Sequence, residues 1–342
     1  MADPTRPFRW QDGERTIVFG PGTLARFGDL FGPGYALLTT SRALAAAGGL
    51  PGGSKLADAA AEIHEVAPGR VDELAAGLLP SVHGEALVAL GGGRVIDVAK
   101  ALAAAAPPRR VAAIPTTLSG AEMTPIHRHA TGVQASVARV RPALVVNDRA
   151  LSASQPRAEL ARSAANALGH VADGMVTPRA NPVATLAGLE AARLISTGLN
   201  LAVSSTDAEP DRDALALGAL LAGYVIGSTG YGLHHVLAQT LARFAGVPHG
   251  AANAVMLPHS LEALRRRFPT TITELAEALG GNPAAAAALL ARFAGATALR
   301  ELGVSQGQLD RCVEEAAARA ELHMTPPPAD RSELRELYAA AY

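Results

Sequence analysis

Histidine residues in the second half of the sequence have a spacing that could support proton transfer or metal binding. His170 follows Asn166 by four residues in a segment of helical composition, so both side chains lie on one face of the predicted helix. The adjacent pair His234 and His235, and then His249, come further along the chain. Imidazole groups exchange protons near neutral pH and are common metal ligands. A single histidine is usually a core or surface residue, but the joint pattern predicts a site with His170, His234 and His235 as candidate catalytic residues.

Three consecutive glycines, Gly91, Gly92 and Gly93, stand between the apolar run 85–90 and the alanine-rich stretch 94–105. Glycines at a strand-to-helix turn let the backbone approach an anion, and the start of the helix offers free N–H groups. Phosphate is the natural occupant of such a turn. The spacing is neither the GxGxxG dinucleotide pattern nor the GK[ST] ending of a phosphate loop. Considered alone, the spacing supports nucleotide binding and a purely structural turn equally.

The elements that must position these residues differ between the two halves of the chain. Predicted strands lie at 16–19, 35–40, 86–90, 111–114 and 143–146, with a predicted helix at 41–48. This alternation predicts an α/β domain with a Rossmann-like parallel sheet covered on both faces, which binds ligands beyond the carboxyl ends of its strands. From about residue 158 the sequence predicts an all-α domain, with a capping box at 305–308. We predict domains over residues 1–155 and 156–342.

The composition excludes several classes of protein. The chain has 342 residues and a formal net charge of −1, and the dense basic run at 265–267 is explained as a solvated helix end, so no nucleic-acid partner is predicted. The single cysteine, Cys312, excludes an internal disulfide and favours a reducing compartment. Residues 1–7 lack the apolar core of a signal peptide, and the other apolar segments are interrupted by Gly, Pro, Arg or His. We therefore expect a cytoplasmic protein without a membrane partner.

Two linked motifs carry a resemblance to a known family. The run GGGRVIDVAK at 91–100 and the run IPTTLSGAE at 114–122 resemble the paired signatures of the iron-containing alcohol dehydrogenase superfamily. The resemblance implies the fold of that superfamily and of the dehydroquinate synthases, and it implies binding of NAD(P)H at the glycine turn. The cofactor-binding positions that it implies are Gly91, Gly92, Gly93, Arg94, Asp97, Thr116, Thr117 and Ser119. In this assignment the glycines and Arg94 face phosphate, Asp97 orients the turn, and the hydroxyl residues line the other side of the cofactor.

The choice between NADH and NADPH is open in the sequence. Rossmann-type sites that prefer NAD usually place an acidic residue at the end of the second strand, where it binds the ribose 2′-hydroxyl. The run 38–42 supplies no acidic residue there. Ser41 with Arg42 beside it could accommodate a 2′-phosphate, or Arg42 could point to solvent, so Ser41 is predicted at the cofactor and NADPH is allowed.

A second signature covers residues 232–259 and resembles the metal-binding segment of the same superfamily. By position, the resemblance assigns the metal ligands to Asn166, His170, His235 and His249. The usual first ligand is an aspartate, and the amide of Asn166 removes the only negative charge from the site. Zinc or iron held by the histidines stays allowed, so a bound divalent metal and a vacant site are both open.

Further residues resemble the maleylacetate reductase branch of the superfamily. They are Asn166, Pro125, the run 180–183 and the run 233–235. Three positions depart from that branch: Gln239 replaces a histidine, Gln134 replaces a lysine, and 325–328 replaces an Asn-Pro-Arg pattern. Because charge-assisted pairs to carboxylates are what a dicarboxylate substrate needs, these departures predict a substrate other than maleylacetate.

The main hypothesis is therefore an NAD(P)-dependent oxidoreductase that moves a hydride between nicotinamide and a small oxo or hydroxy acid, with a changed substrate. One alternative is a dehydrogenase of specialised metabolism that oxidises a larger β-hydroxy acid or peptide end, followed by loss of CO₂; an active-site mouth widened by Gln239 and Thr325 favours it. A catalytically decayed nucleotide-binding subunit is the other alternative, and among the enzymes a dehydroquinate synthase ranks third. His127 is a secondary candidate for proton transfer. A homodimer is predicted because relatives are commonly dimeric.

Overall fold

The computed structural model describes residues 7–153, 155–203 and 209–342. The chain forms two compact units, Met1–Ser154 and Gln155–Tyr342. The predicted domain boundary after residue 155 lies one residue from this division. Residues 1–6, on which the prediction about a signal peptide partly depends, are outside the described residues.

The first unit is built on one mixed sheet. In space its strands follow the order β1-β2-β7-β6-β5-β3-β4, and β1 is antiparallel to β2 while the other described pairs are parallel. The strands are β1 (Phe8–Asp12), β2 (Arg15–Phe19), β3 (Tyr35–Thr39), β4 (Ala60–Glu65), β5 (Ala86–Gly91), β6 (Arg110–Pro115) and β7 (Leu144–Asn147). Each strand that the sequence predicted is present. The edge strands β1 and β4 were not predicted because exposed and half-buried residues alternate along them, so neither contains an apolar run.

Helices cover both faces of this sheet, as predicted. They are α1 (Thr23–Phe27), α2 (Ser41–Gly48), α3 (Ser54–Asp58), α4 (Val71–Leu78) and α5 (Gly93–Ala105). The period of two along a strand sends alternate side chains to opposite faces. Leu38 of β3 and Leu87 of β5 enter the core under α4 and α5, whereas Leu37 and Leu90 of the same strands enter the core under α1, α2 and α3. The buried central strands thus hold the carboxyl ends of β3, β5 and β6 along one edge.

The second unit is helical, as predicted. Its helices are α6 (Arg157–Gly174), α7 (Pro182–Leu199), α8 (Arg212–Thr229), α9 (Leu233–Phe244), α10 (His249–Arg267), α11 (Pro269–Leu279), α12 (Pro283–Ala294), α13 (Gln306–Ala317) and α14 (Arg331–Ala340). Small residues let neighbouring helices approach closely: a Cβ on Gly198 of α7 would lie 2.7 Å from Cγ of Leu215 on α8. Ser305 and Gln308 form the predicted capping box at the start of α13.

None of the described helices is by itself long and apolar enough to cross a membrane. The pair α8 and α9 meets the length and composition criteria only together, across a bend of 101°.

Cys312 is buried on α13. At the end of α10, Arg265 and Arg266 are exposed beside Glu262, whereas Arg267 is half-buried and pairs with Glu333. The basic run is thus a helix end, and only part of it is solvated.

Candidate active site

The glycine turn (residues 91–93) and the threonine loop (residues 116–119) are in direct contact in the first unit. A Cβ on Gly92 would lie 3.0 Å from Oγ1 of Thr117, and a Cβ on Gly93 would lie 3.0 Å from Oγ of Ser119. None of the three glycines has a positive φ, so glycine is required here for close approach and not for an unusual backbone conformation. Gly91 lets β5 pack closely against α5, since a Cβ on Gly91 would lie 2.6 Å from Cγ2 of Val95. The structure therefore brings the two predicted motifs together.

The start of α5 is available to an anion. Its N-cap is Gly92 in an extended conformation, and within the described residues no side chain caps the helix. The first N–H groups of a helix have no partner inside the helix, and the helix dipole adds positive potential at that end. Arg94 is exposed on the first turn of α5, and Thr116 donates its N–H to the Gly91 carbonyl at 3.0 Å. This end of the sheet offers hydrogen-bond donors and a cationic side chain to a pyrophosphate.

Asp97 and Lys100 hold the loop that follows the threonine motif. Lys100 is fully buried, and its Nζ donates to the carbonyls of Ala121, Thr124 and Ile126 at 2.9, 3.2 and 2.9 Å. Nζ also lies 2.7 Å from Oδ1 of Asp97. Asp97 thus acts through Lys100, which ties residues 121–126 to α5 and so fixes the position of the threonine loop.

Glu122 is the carboxyl group buried next to this lysine. Its side chain is 1% exposed and its Oε2 has no hydrogen-bond partner. Burial raises the pKa of Glu122 to about 7 from 4.5. A raised pKa in an acid means that the folded state holds the proton more tightly, so stability falls as the pH rises from about 4.5 to about 7.

We expect Glu122→Gln to remove the loss of folding stability that the wild type shows as the pH rises from about 4.5 to about 7. At about pH 8 the variant should be more stable than the wild type by up to about 3 kcal/mol, and at about pH 4.5 the two should be closer. Urea unfolding at both pH values measures the difference. A stability difference of equal size at both pH values would contradict the expectation, because it would show that folding does not shift the pKa of Glu122.

Ser41 lies at the start of α2, directly after β3. Its Oγ donates to Oε1 of Glu65 at 3.1 Å, and its N–H lies 3.5 Å from the same oxygen. Glu65 is the last residue of β4, so a carboxylate reaches the end of β3 from the neighbouring strand. The sequence showed no acidic residue within 38–42, and Glu65 was missed because its position depends on the pairing of an edge strand that was not predicted.

His127, the secondary candidate for proton transfer, is a structural residue. It is 4% exposed, its Nδ1 lies 2.9 Å from the Arg128 carbonyl, and its Nε2 accepts the N–H of Val140 at 3.0 Å. Burial lowers the pKa of His127 to about 4. Both ring nitrogens are therefore engaged in the neutral form, and the predicted role in proton transfer is wrong.

Asp173 organises the start of α9 in the second unit. The carboxylate of this α6 residue accepts the backbone N–H groups of His234 and His235 at 3.1 and 3.0 Å, and it accepts Nδ1–H of His235 at 2.9 Å. Burial raises the pKa of Asp173, and these N–H donors act in the opposite direction. Asp173 thus caps α9 and fixes the ring of His235. It was not singled out in the sequence, although it stands three residues after His170 on the same helix face.

His235 keeps one ring nitrogen for chemistry. It is 2% exposed, and because Nδ1 carries the proton given to Asp173, Nε2 is a lone-pair acceptor. This Nε2 is buried without a hydrogen-bond partner. Burial lowers the pKa of His235 to about 3, so the ring is neutral. The ring of His170 stacks on it, with centroids 4.8 Å apart.

His234 has a different task from the predicted one. It is fully buried, its Nε2 lies 3.0 Å from Oδ1 of Asn253, and its Nδ1 lies 3.1 Å from Oγ of Ser260. Burial lowers the pKa of His234 to about 3. With both nitrogens engaged inside the unit, His234 orients Asn253, and the prediction of His234 as a catalytic residue is corrected.

Asn253 connects the remaining predicted residues. Its Nδ2 donates to the main-chain carbonyl of His249 at 2.9 Å and to Oδ1 of Asn166 at 3.2 Å. This fixes Nδ2 of Asn166 toward Nε2 of His170, at 3.3 Å. Nε2 of His170 is therefore the acceptor, and the proton is on Nδ1, which is buried without a hydrogen-bond partner.

The predicted metal ligands do not fit a divalent cation. Nε2 of His170 faces the amide group of Asn166, and Nε2 of His249 lies 3.1 Å from Nδ2 of Asn253. His170 and His235 are buried, whereas His249 is exposed. Across the described ranges, no group of three or more His, Cys, Asp or Glu side chains could hold a metal ion. Because the amide NH₂ of Asn166 faces Nε2 of His170 and no carboxylate joins the three imidazoles, these side chains as arranged do not fit a divalent cation.

Comparisons with known proteins agree with this architecture. Residues 14–149 match the family described as iron-containing alcohol dehydrogenase, and residues 160–342 match the C-terminal part of the Fe-containing alcohol dehydrogenase family. The chain belongs to the iron-containing alcohol dehydrogenase family. Maleylacetate reductase 1 of Rhodococcus opacus is 34% identical over 80% of this chain and 78% of the relative, and maleylacetate reductase of Pseudomonas aeruginosa is 31% identical over 95% of each. The crystal structure of maleylacetate reductase from Agrobacterium tumefaciens superimposes with a TM-score of 0.82 at 29% identity, covering 98% of both chains.

These relatives place this iron-containing alcohol dehydrogenase family member in the maleylacetate reductase branch, and it is an NAD(P)-dependent oxidoreductase. The matches are to enzymes, so they give no support to the alternative of a decayed nucleotide-binding subunit.

Thr325 is one of the positions at which this family member departs from the reductase pattern, and its role is structural. Its side chain is 2% exposed, and its Oγ1 accepts the N–H of Leu233 at 3.0 Å. A Cβ on Gly232 would lie 2.0 Å from the same oxygen. Thr325 therefore caps α9 together with Asp173, and its predicted place at a widened active-site mouth is wrong. Gln239 is half-buried on α9, and Gln134 is exposed.

Proposed function

We propose that this chain transfers a hydride between NAD(P) and a small oxo or hydroxy acid that carries fewer carboxylates than maleylacetate. In the reducing direction a carbonyl, the reduced coenzyme and one proton give a hydroxyl and the oxidised coenzyme. The observation that supports this most directly is Nε2 of His235, buried without a partner on a ring that Asp173 orients.

The first unit supplies the coenzyme site in this proposal. The N–H groups at the start of α5 and the guanidinium of Arg94 bind the pyrophosphate, and the hydroxyls of Thr117 and Ser119 contact the nucleotide beside the glycine turn. The bound nicotinamide supplies or takes up the hydride. Lys100, whose charge is held by the loop carbonyls and by Asp97, keeps the threonine loop in place, so the site is preorganised.

The second unit supplies the proton-handling groups. During oxidation, Nε2 of His235 accepts the proton of the substrate hydroxyl, and during reduction the same nitrogen returns a proton to the substrate oxygen. Asp173 holds the ring in the tautomer that leaves Nε2 unprotonated. Nδ1–H of His170 is the complementary donor, and the pair matches a hydroxyl group, which both donates and accepts.

The substrate class is inferred from occupied anion-binding groups near His235. Arg319, whose charge acts on His235, donates from Nε and Nη2 to Glu321 at 3.2 and 3.0 Å, and its Nη2 donates to Tyr231. The N–H groups at the start of α9 are taken by Asp173 and Thr325. A substrate with two carboxylates would therefore lack partners in this part of the second unit, which favours a less charged acid. With Thr325 buried, the alternative of a larger peptide-derived substrate keeps only Gln239 as support, and we do not adopt it.

A coenzyme titration followed by a substrate panel tests this function. Fluorescence titration with NADH and NADPH measures binding, and turnover is then followed on matched oxo acids with one and two carboxylates, maleylacetate included, and on the corresponding hydroxy acids. We expect kcat/KM for the best monocarboxylate to exceed that for the best dicarboxylate by about tenfold or more. Binding without turnover on any panel member, or preference for the dicarboxylates, would overturn the proposal. The predicted homodimer and the predicted cytoplasmic location stay predictions.

A further inference from the structure

The last residue of β4 brings a carboxylate to the end of β3, where the adenosine ribose of the coenzyme is expected. The strand β3 is hydrogen-bonded to β5, which carries the glycine turn, and β4 is hydrogen-bonded to the other side of β3. All three strands are parallel, so Gly91, Thr39 and Glu65 end along the same edge of the sheet. In dinucleotide sites, the residue that binds the ribose 2′-hydroxyl stands at the end of the strand next to the glycine strand.

We propose that Glu65, linked to Ser41, reads the 2′ position of the coenzyme and makes this enzyme prefer NADH over NADPH. The inference rests on the proposed coenzyme site at the glycine turn. It differs from the expectation drawn from residues 38–42, because the acidic group comes from the neighbouring strand and not from the end of β3.

The hydrogen bonds at this edge explain how Glu65 is held in place. Oγ of Thr40 is used to cap α2, since it accepts the N–H of Ala43 at 3.2 Å. Ser41 is therefore the hydroxyl that anchors Glu65, with Oγ at 3.1 Å from the carboxylate. An ionised carboxylate accepts from several donors at once, so Glu65 can accept the ribose 2′-hydroxyl in addition to Ser41.

Charge makes the same group unfavourable for NADPH. A 2′-phosphate would bring a second anion against the Glu65 carboxylate, and like charges in direct contact repel. Both Ser41 and Glu65 are exposed, so salt screens this repulsion and the preference should shrink as ionic strength rises. Arg42 is the next residue of α2, and its positive charge would attract a 2′-phosphate. It therefore limits how strongly the enzyme can discriminate against NADPH.

Fluorescence titration of the full chain with NADH and with NADPH, at low salt, tests the inference. We expect the wild type to bind NADH about tenfold more tightly than NADPH, and we expect Glu65→Gln to reduce this ratio about tenfold, chiefly by tightening NADPH binding. Glu85→Gln is the matched control, because it removes the same charge from an exposed residue at the opposite end of β5. Ser41→Ala should reduce the ratio by a smaller factor, since it removes the anchor and leaves the charge.

The outcomes separate this inference from the proposed function. If both coenzymes bind but neither Glu65→Gln nor Ser41→Ala changes the ratio, or if the wild type prefers NADPH, the role of Glu65 is wrong and the proposed function stands. If the wild type binds neither coenzyme, the coenzyme site itself fails and both proposals fall. A fall in binding of both coenzymes to Glu65→Gln, with the ratio unchanged, would indicate a structural role for Glu65 and would also overturn the inference.

Discussion

Replacement of His235 by asparagine is expected to lower kcat by about 10²- to 10⁴-fold, the usual contribution of a positioned general acid or base. Asparagine places an amide nitrogen where Nδ1 of the imidazole stands, so the hydrogen bond to Asp173 is kept while Nε2 is removed. The helix capping by Asp173 does not depend on the side chain at position 235, because the backbone N–H groups make those bonds. The variant should therefore fold normally and keep its affinity for NADH within about threefold.

Steady-state kinetics with the best substrate of the panel and NADH titration measure these two effects separately. His323→Gln is the control, since His323 is an exposed histidine of the same unit and its loss should leave kcat unchanged. A kcat for His235→Asn within about fivefold of the wild type would show that proton transfer does not use Nε2 of His235. A loss of folding, judged from circular dichroism, would instead assign His235 to the core with Asp173.

Gly92→Ala is expected to weaken NADH binding about 10- to 100-fold, a cost of about 1.4 to 2.8 kcal/mol. The new Cβ would lie 3.0 Å from Oγ1 and 3.1 Å from Cγ2 of Thr117, so both branches of that side chain are in the way. A β-branched side chain has few rotamers to escape into. The turn or the threonine loop must then shift, and the short hydrogen bonds to the phosphates would be lost.

The φ of Gly92 is −77°, which alanine adopts freely, so the expected effect is steric and local. Gly77→Ala is the matched control, because a Cβ there meets nothing within 4 Å and Gly77 lies on α4. That change should leave NADH binding unaltered and slightly stabilise the helix. NADH affinity of Gly92→Ala within about twofold of the wild type, with unchanged thermal unfolding, would mean that the coenzyme does not approach the turn.

The fold could be predicted from the sequence where burial is complete. The central strands β3, β5, β6 and β7 are apolar runs, and the alternation of strand and helix gave the parallel sheet. The edge strands β1 and β4 were not predicted, because neither is an apolar run. FRWQD in β1 does alternate apolar and polar residues, whereas AAEIHE in β4 has no regular pattern that distinguishes it from a loop. Because β4 was not predicted, its last residue, Glu65, was not recognised as a candidate site residue.

The site could be predicted as far as its motifs reach. The spacing indicated the glycine turn and the threonine loop, and the structure brings Gly92 to Thr117 and Gly93 to Ser119. The division of labour between His234 and His235 could not be predicted, since adjacent helix residues point about 100° apart and only packing decides which one faces the buried amides. Asp173 acts on α9 from α6, more than sixty residues earlier in the chain, and such a partner is visible only after folding.

The main-chain oxygen of His249 fixes the orientation of the buried side-chain amides of Asn253 and Asn166. A peptide carbonyl only accepts, whatever side chain its residue carries, so Asn253 must present its NH₂ there, and that orientation passes through Asn166 to leave the proton of His170 on Nδ1. An aspartate at position 166 has no hydrogen to give and would move that proton to Nε2. Replacement of the Asn166 NH₂ group by an oxygen would thus change the proton-donating nitrogen of His170 from Nδ1 to Nε2, while the helices stay in place.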